Sequence, residues 1–105
     1  MKKTIYSQEL EAFLGLFREM RVEAGLRQED LAKLIEEDQS SISRYESGQR
    51  RVDVIELWRI CQAMGCSFTD FTARLDGILS EMAESRKPKG KRGKKRRGGT
   101  RGGKK

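Results

Sequence analysis

The sequence predicts an all-α fold, with a domain of five helices followed by a basic tail. Apolar residues recur at intervals of three and four in five segments, and no segment shows the strict alternation of a half-buried strand. Glycine or a short polar stretch separates each segment from the next. Residues 86–105 contain no Ile, Leu, Val or aromatic residue, so they cannot contribute to a core.

The first predicted helix begins after Ser7, a suitable N-cap residue, and continues to about Glu23, where Gly25 ends it. Its apolar stripe comprises Leu10, Phe13, Leu14, Phe17 and Met20. A second helix is predicted over about residues 28–36. Its buried side comprises Leu31, Ala32 and Ile35.

The third predicted helix has an unusual outer face. It begins after Asp38, an N-cap residue, and ends before Gly48, with Ile42 and Tyr45 facing the core. The opposite face consists of Gln39, Ser40, Ser43 and Arg44. Serine is a mediocre helix former, but short polar side chains allow close approach to another molecule, and Gln and Arg form paired hydrogen bonds with adenine and guanine. The residues alone leave two interpretations, a solvated surface helix or a helix that contacts bases.

Two further helices follow. Asp53 with Glu56 is a capping pattern for the fourth helix, which ends at Gly65. Its predicted buried residues are Val54, Leu57, Trp58 and Cys61, with Ile60 as an additional candidate. Ser67 with Asp70 repeats the pattern for a fifth helix, and its apolar residues are Phe68, Phe71, Leu75, Ile78, Leu79 and Met82. Some of the later members of this stripe, Leu75, Ile78, Leu79 and Met82, are expected to close the core. A surplus would form a dimer seam, which Gly77 would weaken by about 1 kcal/mol relative to Ala.

Charge divides the chain into two parts. Residues 1–85 hold 11 Lys or Arg against 16 Asp or Glu, a net −5, whereas residues 86–105 hold 12 Lys or Arg and no acid. We therefore predict a domain over 1–85 and a tail over 86–105 that is disordered when free. Such a tail favours polyanion binding through counterion release. The alternatives are a solubilising appendage and a segment that folds back on the acidic domain and keeps it from nucleic acid.

Several classes of function are disfavoured. The chain has no His, no Gly-rich phosphate loop and no combination of nucleophile, base and orienting group, so an enzyme is not expected. Cys61 and Cys66 do not suffice for a zinc site without His and are expected to be reduced thiols, and no cofactor is expected. No apolar run reaches the roughly 18 residues of a membrane span, and no apolar segment of an export signal follows the start. A cytoplasmic location is therefore expected.

The stretch LRQEDLAKLIEEDQSSISRYESGQRR resembles the helix-turn-helix of the Cro/repressor-like family of the xenobiotic-response-element type. In that pattern a Gln opens the first motif helix, Leu-Ala follows, and the second helix has Ile-Ser-x-x-Glu-x-Gly. The matching residues are Gln28, Leu31, Ala32, Ile42, Ser43, Glu46 and Gly48. The resemblance extends from about Leu10 to Phe71 and implies a lambda-repressor-like helix-turn-helix domain that binds double-stranded DNA.

The resemblance also implies roles for individual residues. Base contacts in the major groove would come from Gln39, Ser40, Ser43 and Arg44. Contacts with backbone phosphates would come from Gln28, Ser41, Gln49, Arg50 and Arg51. Arg21 and Glu46 occupy the positions that form a structural ion pair in relatives.

Some positions depart from the family pattern. Glu36 stands at a turn position usually filled by Gly, and a positive φ there would cost about 1 kcal/mol. Arg27 stands where Ser or Thr usually caps the second motif helix, a further loss of about 1 kcal/mol. Glu36, Glu37 and Asp38 also place negative charge beside the predicted DNA-contacting face, which would weaken the DNA affinity of the domain alone.

The predicted function is sequence-specific regulation of transcription in a prokaryote or phage, as a repressor rather than an activator, and the expected location is the cytoplasm, in association with the nucleoid. A homodimer is expected because one short helix contacts too few base pairs to specify a genomic site. One alternative is an architectural nucleic-acid-binding protein whose tail dominates binding. Another is an antitoxin or a restriction-system control protein, which would share the fold and also bind a partner protein.

Overall fold

Residues 4–86 are described by a computed structural model, in which they form five α-helices and no strand. The helices are α1 (Ile5–Glu23), α2 (Gln28–Leu34), α3 (Gln39–Ser47), α4 (Val54–Met64) and α5 (Phe68–Arg86). The predicted all-α, five-helix fold is confirmed. The predicted tail, apart from Arg86, lies outside the described residues, as do residues 1–3, so the domain boundary stays a prediction.

Helix packing brings the two chain ends of the domain together. α2 packs on α3, α1 contacts α3 and α5, and α4 contacts α2 and α5. Near the start of α5, Arg74 Nη1 lies 3.3 Å from Glu23 Oε1 at the end of α1. At the other end, Arg86 Nη2 lies 3.4 Å from Glu9 Oε2. α1 and α5 are therefore antiparallel, and α5 ends beside the start of α1.

The start of α1 differs from the prediction. Thr4, not Ser7, is the N-cap, and the helix begins at Ile5. The backbone N–H of Ser7 donates to Thr4 Oγ1 at 3.0 Å, and the backbone N–H of Thr4 donates to Ser7 Oγ at 2.9 Å. Both residue types cap helices, and this reciprocal capping box places Ser7 in the first turn.

The turn between α2 and α3 has the conformation expected at Glu36. Its φ is 61°, and it is the one non-glycine residue among residues 4–86 with positive φ. The backbone N–H of Glu37 donates to Ala32 O at 2.8 Å across this turn, which closes the end of α2. A side chain in this left-handed conformation is strained, because its Cβ crowds the following carbonyl oxygen.

The start of α2 compensates for the missing cap. Arg27 supplies no side-chain acceptor, as predicted, but Asp30 accepts from the backbone N–H of Arg27 at 2.8 Å and from its Nε at 3.0 Å. The guanidinium of Arg27 is the main cause that lowers the pKa of Asp30 to about 2. The carboxylate therefore occupies the favourable negative position at a helix N-terminus.

The core lies between all five helices. Its buried apolar side chains are Leu16, Phe17, Met20, Leu31, Ala32, Ile35, Ile42, Tyr45, Leu57, Ile60, Cys61, Met64 and Phe71. Phe13 meets both Phe17 and Phe71 edge-on at about 6 Å between ring centroids. This aromatic cluster joins α1 to α5 and supports the helix pair that lies behind the motif.

The prediction was wrong for two residues of α4. Val54 is 66% exposed and Trp58 49% exposed, although both were expected in the core. The buried face of α4 instead comprises Leu57, Ile60, Cys61 and Met64. α4 has apolar residues around much of its circumference, so its periodicity does not select one face.

Part of the α5 stripe closes the core, as predicted. Phe71 is fully buried, and Phe68, Leu75 and Ile78 pack against the core cluster. Leu79 and Met82 are half-buried. Two of the four later members of the stripe, Leu75 and Ile78, thus pack within the domain, and a dimer seam on α5 stays a prediction.

Three further properties concern possible function. No helix in the described range is both long and apolar enough to cross a membrane. Cys61 and Cys66 are free thiols, and burial raises the pKa of Cys61 to about 12. Among residues 4–86 there is no cluster of three potential metal ligands.

Candidate nucleic-acid interface

The outer face of α3 is available to another molecule. Gln39, Ser40 and Arg44 are exposed and Ser43 is half-exposed, whereas Ile42 and Tyr45 are buried on the opposite face. Asp38 caps the helix by accepting from the backbone N–H of Ser41 at 3.0 Å. α3 thus presents all four predicted base-contacting residues.

A chain of hydrogen bonds links Gln39 to the interior. Gln39 Nε2 donates to Gln28 Oε1 at 2.6 Å, and Gln28 Nε2 donates to Glu46 Oε1 at 2.9 Å. A carboxylate only accepts, so Glu46 requires the NH₂ group of Gln28 to face it. The carbonyl of Gln28 then faces Gln39 and requires its NH₂ group in turn. Gln39 therefore retains its carbonyl oxygen and its second N–H for a ligand.

The interior end of this chain is an ion pair. Arg21 Nε donates to Glu46 Oε2 at 2.5 Å, and Nη2 donates to Glu46 Oε1 at 3.2 Å. Arg21 Nη1 also donates to the backbone carbonyl of Leu26 at 2.7 Å. Since the two side chains are 10% and 8% exposed, water screens this pair little. The pair connects α1, the α1–α2 turn and the end of α3.

The acids beside α3 are largely engaged by neighbouring groups. Asp38 accepts from the hydroxyls of Ser40 and Ser41 at 2.8 and 3.1 Å, and these bonds, that of Ser40 foremost, lower the pKa of Asp38. Glu37 Oε1 accepts from Ser41 Oγ at 3.0 Å. Ser41 itself is 4% exposed, so its hydroxyl serves this cluster, and its predicted phosphate contact stays a prediction.

Arg50 lies at the centre of a cluster between α3 and α4. Its Nη1 is 3.4 Å from Ser41 Oγ and 3.8 Å from Glu37 Oε1, and its Nη2 is 3.5 Å from Glu56 Oε2. Its guanidinium carbon lies 4.8 Å from the centroid of the Tyr45 ring. Arg50 was predicted to bind phosphate, but its guanidinium already has partners that hold the first turn of α3.

Arg51 differs from Arg50 in its surroundings. It is exposed, and its Nη1 donates to the Tyr6 hydroxyl. Its guanidinium carbon lies 5.6 Å from the centroid of the Tyr6 ring. Gln49, the other loop residue predicted to contact phosphate, is exposed. The sequence analysis did not identify Tyr6 as a candidate site residue. Tyr6 lies one turn before Leu10 and extends the stripe of α1, so this spacing could have identified it.

The Helix-turn-helix family model HTH_3 matches residues 17–71, which contain the ion pair, the motif and α4. No curated protein matches the sequence significantly.

Three solved structures illustrate the similarity in fold. An XRE-family like protein from Pseudomonas syringae pv. tomato is 32% identical, with 70% of this chain and 90% of that chain covered and a TM-score of 0.66. The clp gene regulator ClgR from Corynebacterium glutamicum is 25% identical, with coverages of 73% and 82% and a TM-score of 0.62. A point mutant of the restriction-modification controller protein C.Esp1396I is 29% identical, with coverages of 69% and 95% and a TM-score of 0.61. The chain belongs to the XRE-type helix-turn-helix family of DNA-binding transcriptional regulators.

Proposed function

We propose that the protein is a sequence-specific transcriptional repressor that binds operator DNA as a homodimer, with α3 in the major groove. The observation that supports base contact best is the chain from Arg21 through Glu46 and Gln28 to Gln39. A side chain held in one orientation loses little entropy on binding and discriminates between bases better than a mobile one. A solvated surface helix needs no such restraint.

The orientation of Gln39 specifies a base. Its free carbonyl oxygen and remaining N–H match the N6 amino group and N7 of adenine, which a Gln contacts bidentately. Arg44, exposed five residues further along α3, matches O6 and N7 of guanine. We expect the consensus half-site to contain an adenine and a guanine at the positions these two residues contact.

Phosphate contacts are proposed to come mainly from outside α3. Gln49 and Arg51 lie in the exposed loop before α4, whereas Gln28, Ser41 and Arg50 are held by protein partners. The basic residues 87–105 follow Arg86, whose Nη2 lies 3.4 Å from Glu9 Oε2 near the start of α1. We propose that this tail adds sequence-independent affinity through its positive charge.

We propose repression rather than activation because a protein that occupies an operator excludes other proteins from that DNA by its bound volume. We place the protein in the cytoplasm, associated with the nucleoid, because its proposed ligand is there.

Selection of bound sites from random DNA, followed by footprinting, tests this function. We expect a palindromic consensus, and Gln39→Ala or Arg44→Ala should cost about 1–3 kcal/mol on it and change the preferred base. Arg18→Ala, which removes an exposed charge from α1, is the matched control and should leave the consensus unchanged. Equal losses on consensus and random DNA would contradict base contact by α3.

The net charge of the tail favours a second candidate, an architectural protein that binds without sequence preference. Residues 87–105 contain 11 Lys or Arg. If roughly half of them neutralise phosphates, deleting 87–105 should reduce the slope of log affinity against log salt by about 5. If the protein is a sequence-specific repressor, the same deletion should lower its affinities for specific and for random DNA by similar factors. A selection that yields no consensus would favour the architectural function, and tighter binding after deletion would favour an autoinhibitory tail.

The similarity to C.Esp1396I suggests a third candidate within the same fold, control of a restriction–modification system. This function and repression share the DNA-contacting face. The regulated genes distinguish them, and footprinting on the genomic sites found by selection would identify those genes.

A further inference from the structure

A cleft lies between the first half of α1 and the loop that leads from α3 to α4, and its volume is about 240 Å³. Its apolar walls are half-buried side chains from both segments: Leu10, Phe13, Leu14 and Val52. An apolar cavity of about 150 Å³ is sufficient to bind benzene. The cleft, which we call the α1 cleft, is therefore large enough for one aromatic ring with a short substituent.

The polar lining of the α1 cleft is cationic. Tyr6, Arg50 and Arg51 line it together with the apolar walls, and none of the described residues that line it is an acid. The charge of Arg50 is balanced by Glu37 and Glu56, whose carboxylate oxygens lie 3.8 and 3.5 Å from its guanidinium. Arg51 instead contacts the hydroxyl and the ring of Tyr6. Within the described range, Arg51 thus brings to the cleft a positive charge that has no acidic partner.

The contact between Arg51 and Tyr6 leaves hydrogen-bond donors for a ligand. Arg51 Nη1 donates to the Tyr6 oxygen, so the Tyr6 O–H remains a donor, and the guanidinium retains its other N–H groups. The guanidinium carbon lies 5.6 Å from the centroid of the Tyr6 ring, and this cation–π contact restricts the orientation of the arginine. Hydrogen bonds from a guanidinium to a carboxylate are charge-assisted and frequently bidentate. A carboxylate is therefore the ligand group that these two side chains match.

We propose that the α1 cleft binds a small organic carboxylate with an apolar body, and that this ligand competes with DNA for Arg51. The body packs against the apolar walls, and the carboxylate accepts from Arg51 and from the Tyr6 hydroxyl. An inorganic anion has no group for the apolar walls, and an uncharged ring leaves Arg51 unpaired. The competition rests on the proposed function, in which Arg51 contacts a backbone phosphate, whereas binding of the ligand itself does not.

The ligand changes DNA affinity and leaves the choice of sequence unchanged. A carboxylate on Arg51 neutralises the cation and occupies the N–H groups that would bind a phosphate. The loss of one phosphate contact reduces the slope of log affinity against log salt by about 0.9. None of the four predicted base-contacting residues lines the α1 cleft, so α3 keeps its base preference. The ligand therefore lowers the affinities for consensus and for random DNA by similar factors.

Nuclear magnetic resonance of the full-length protein without DNA tests the site. The probes are phenylacetate, phenylacetamide, which has the same ring but no charge, and acetate, which has the charge but no ring. We expect phenylacetate to shift the backbone amide signals of Tyr6, Gly48 and Val52, which line the cleft. It should bind at least about tenfold more tightly than either control compound, as expected for a charge-assisted contact. Equal affinities of phenylacetate and phenylacetamide, or no shift at millimolar phenylacetate, would overturn the proposal.

Three variants locate the ligand within the cleft. Arg51→Gln removes the charge, Tyr6→Phe removes only the hydroxyl, and Leu10→Trp reduces the volume of the cleft. Each should weaken phenylacetate binding, and Arg51→Gln should do so at least about tenfold. Arg51 and Tyr6 are exposed, so the fold should tolerate both changes, and circular dichroism checks this. Arg18→Gln, which removes an exposed arginine of α1 outside the cleft, is the matched control. Wild-type affinity of Arg51→Gln for phenylacetate would overturn the proposal.

Fluorescence anisotropy on consensus and random DNA, across a salt series at matched ionic strength, tests the competition. Saturating phenylacetate should reduce the salt slope of the wild type by about 0.9 and leave that of Arg51→Gln unchanged. An unchanged slope of the wild type with phenylacetate bound would refute the competition with DNA. Failure of the proposed function is detected separately, without phenylacetate, as equal losses of Gln39→Ala and Arg44→Ala on consensus and random DNA.

Discussion

Arg21 and Glu46 form a bidentate ion pair, 2.5 Å from Nε to Oε2, in which both side chains are at most 10% exposed. The two residues are 25 positions apart, and their contact joins α1 to the last turn of α3. Glu46 also orients Gln28, so the pair connects the stability of the fold with the geometry of the proposed interface.

Breaking this pair should strongly destabilise the protein. Arg21→Ala and Glu46→Ala should each lower the free energy of unfolding by roughly 3–5 kcal/mol, because each leaves a buried charge without its partner. The double variant should lose less than the sum. Urea unfolding of the wild type, the two single variants and the double variant measures these losses, with Arg86→Ala as a control for a more exposed ion pair worth less than about 1 kcal/mol. Strict additivity would show that the two side chains do not interact.

Gln28 should affect DNA affinity through Gln39. Gln28→Ala removes the acceptor that orients Gln39 and should cost about 0.5–1.5 kcal/mol on operator DNA. In a Gln39→Ala background the same change should cost clearly less, if positioning is its role. Fluorescence anisotropy on operator and random DNA measures this coupling. A full loss in both backgrounds would assign Gln28 a separate phosphate contact.

The two loop arginines should behave differently. Arg50→Ala should lower the free energy of unfolding by about 1–2 kcal/mol, because it leaves Glu37 and Glu56 without their shared cation beside Tyr45. Arg51→Ala should reduce the salt slope of DNA binding by about 0.9, as expected for one lost phosphate contact. Thermal melts and salt-dependent anisotropy on both variants test the contrast. An Arg50 variant with unchanged stability and a reduced slope would reverse the two assignments.

Relief of strain at Glu36 should stabilise the fold. Glu36→Gly should raise the free energy of unfolding by about 1 kcal/mol, because glycine adopts a φ of 61° without the Cβ clash. Glu36→Ala removes the same charge but keeps the clash, so it should give no such gain. Both variants should bind DNA slightly more tightly through loss of the carboxylate. Equal stability of the Gly and Ala variants in urea would show that the turn is not strained.

Asp30 should make stability depend on pH in acid. Its pKa is lowered to about 2 in the folded protein, against about 3.9 when unfolded, so its contribution is complete above pH 4 and disappears as the pH decreases towards 2. Asp30→Asn should therefore melt at a lower temperature than wild type at pH 7, with a difference that closes between about pH 4 and pH 2. The remaining carboxylates are the same in both proteins, so their contributions to the pH dependence of stability cancel in the comparison. A difference independent of pH would mean that the charge of Asp30 contributes nothing.

Local signals in the sequence were sufficient for most helix ends. Asp38 and Asp53 cap α3 and α4, and Gly48 and Gly65 end them with φ of 84° and 76°, as predicted. Such signals depend on residues within one turn. The start of α1 was the exception. Thr4 and Ser7 are both suitable N-cap residues, and the sequence does not show which of them takes the cap position and which lies in the first turn. The positive φ of Glu36 was expected from the family pattern, which has glycine at this turn position, and not from a local signal.

The tertiary structure decided which side of each helix is buried and which polar groups meet. α4 has apolar residues on both sides, and only its packing against α2 and α5 selects Leu57 and Ile60 for the core, which leaves Ile55 and Trp58 exposed. The hydrogen bonds of Gln28 span 11 and 18 residues and exist because α2 crosses α3. A linear pattern states residue types and local spacing, whereas these contacts depend on distances between helices that are set by packing of the whole core.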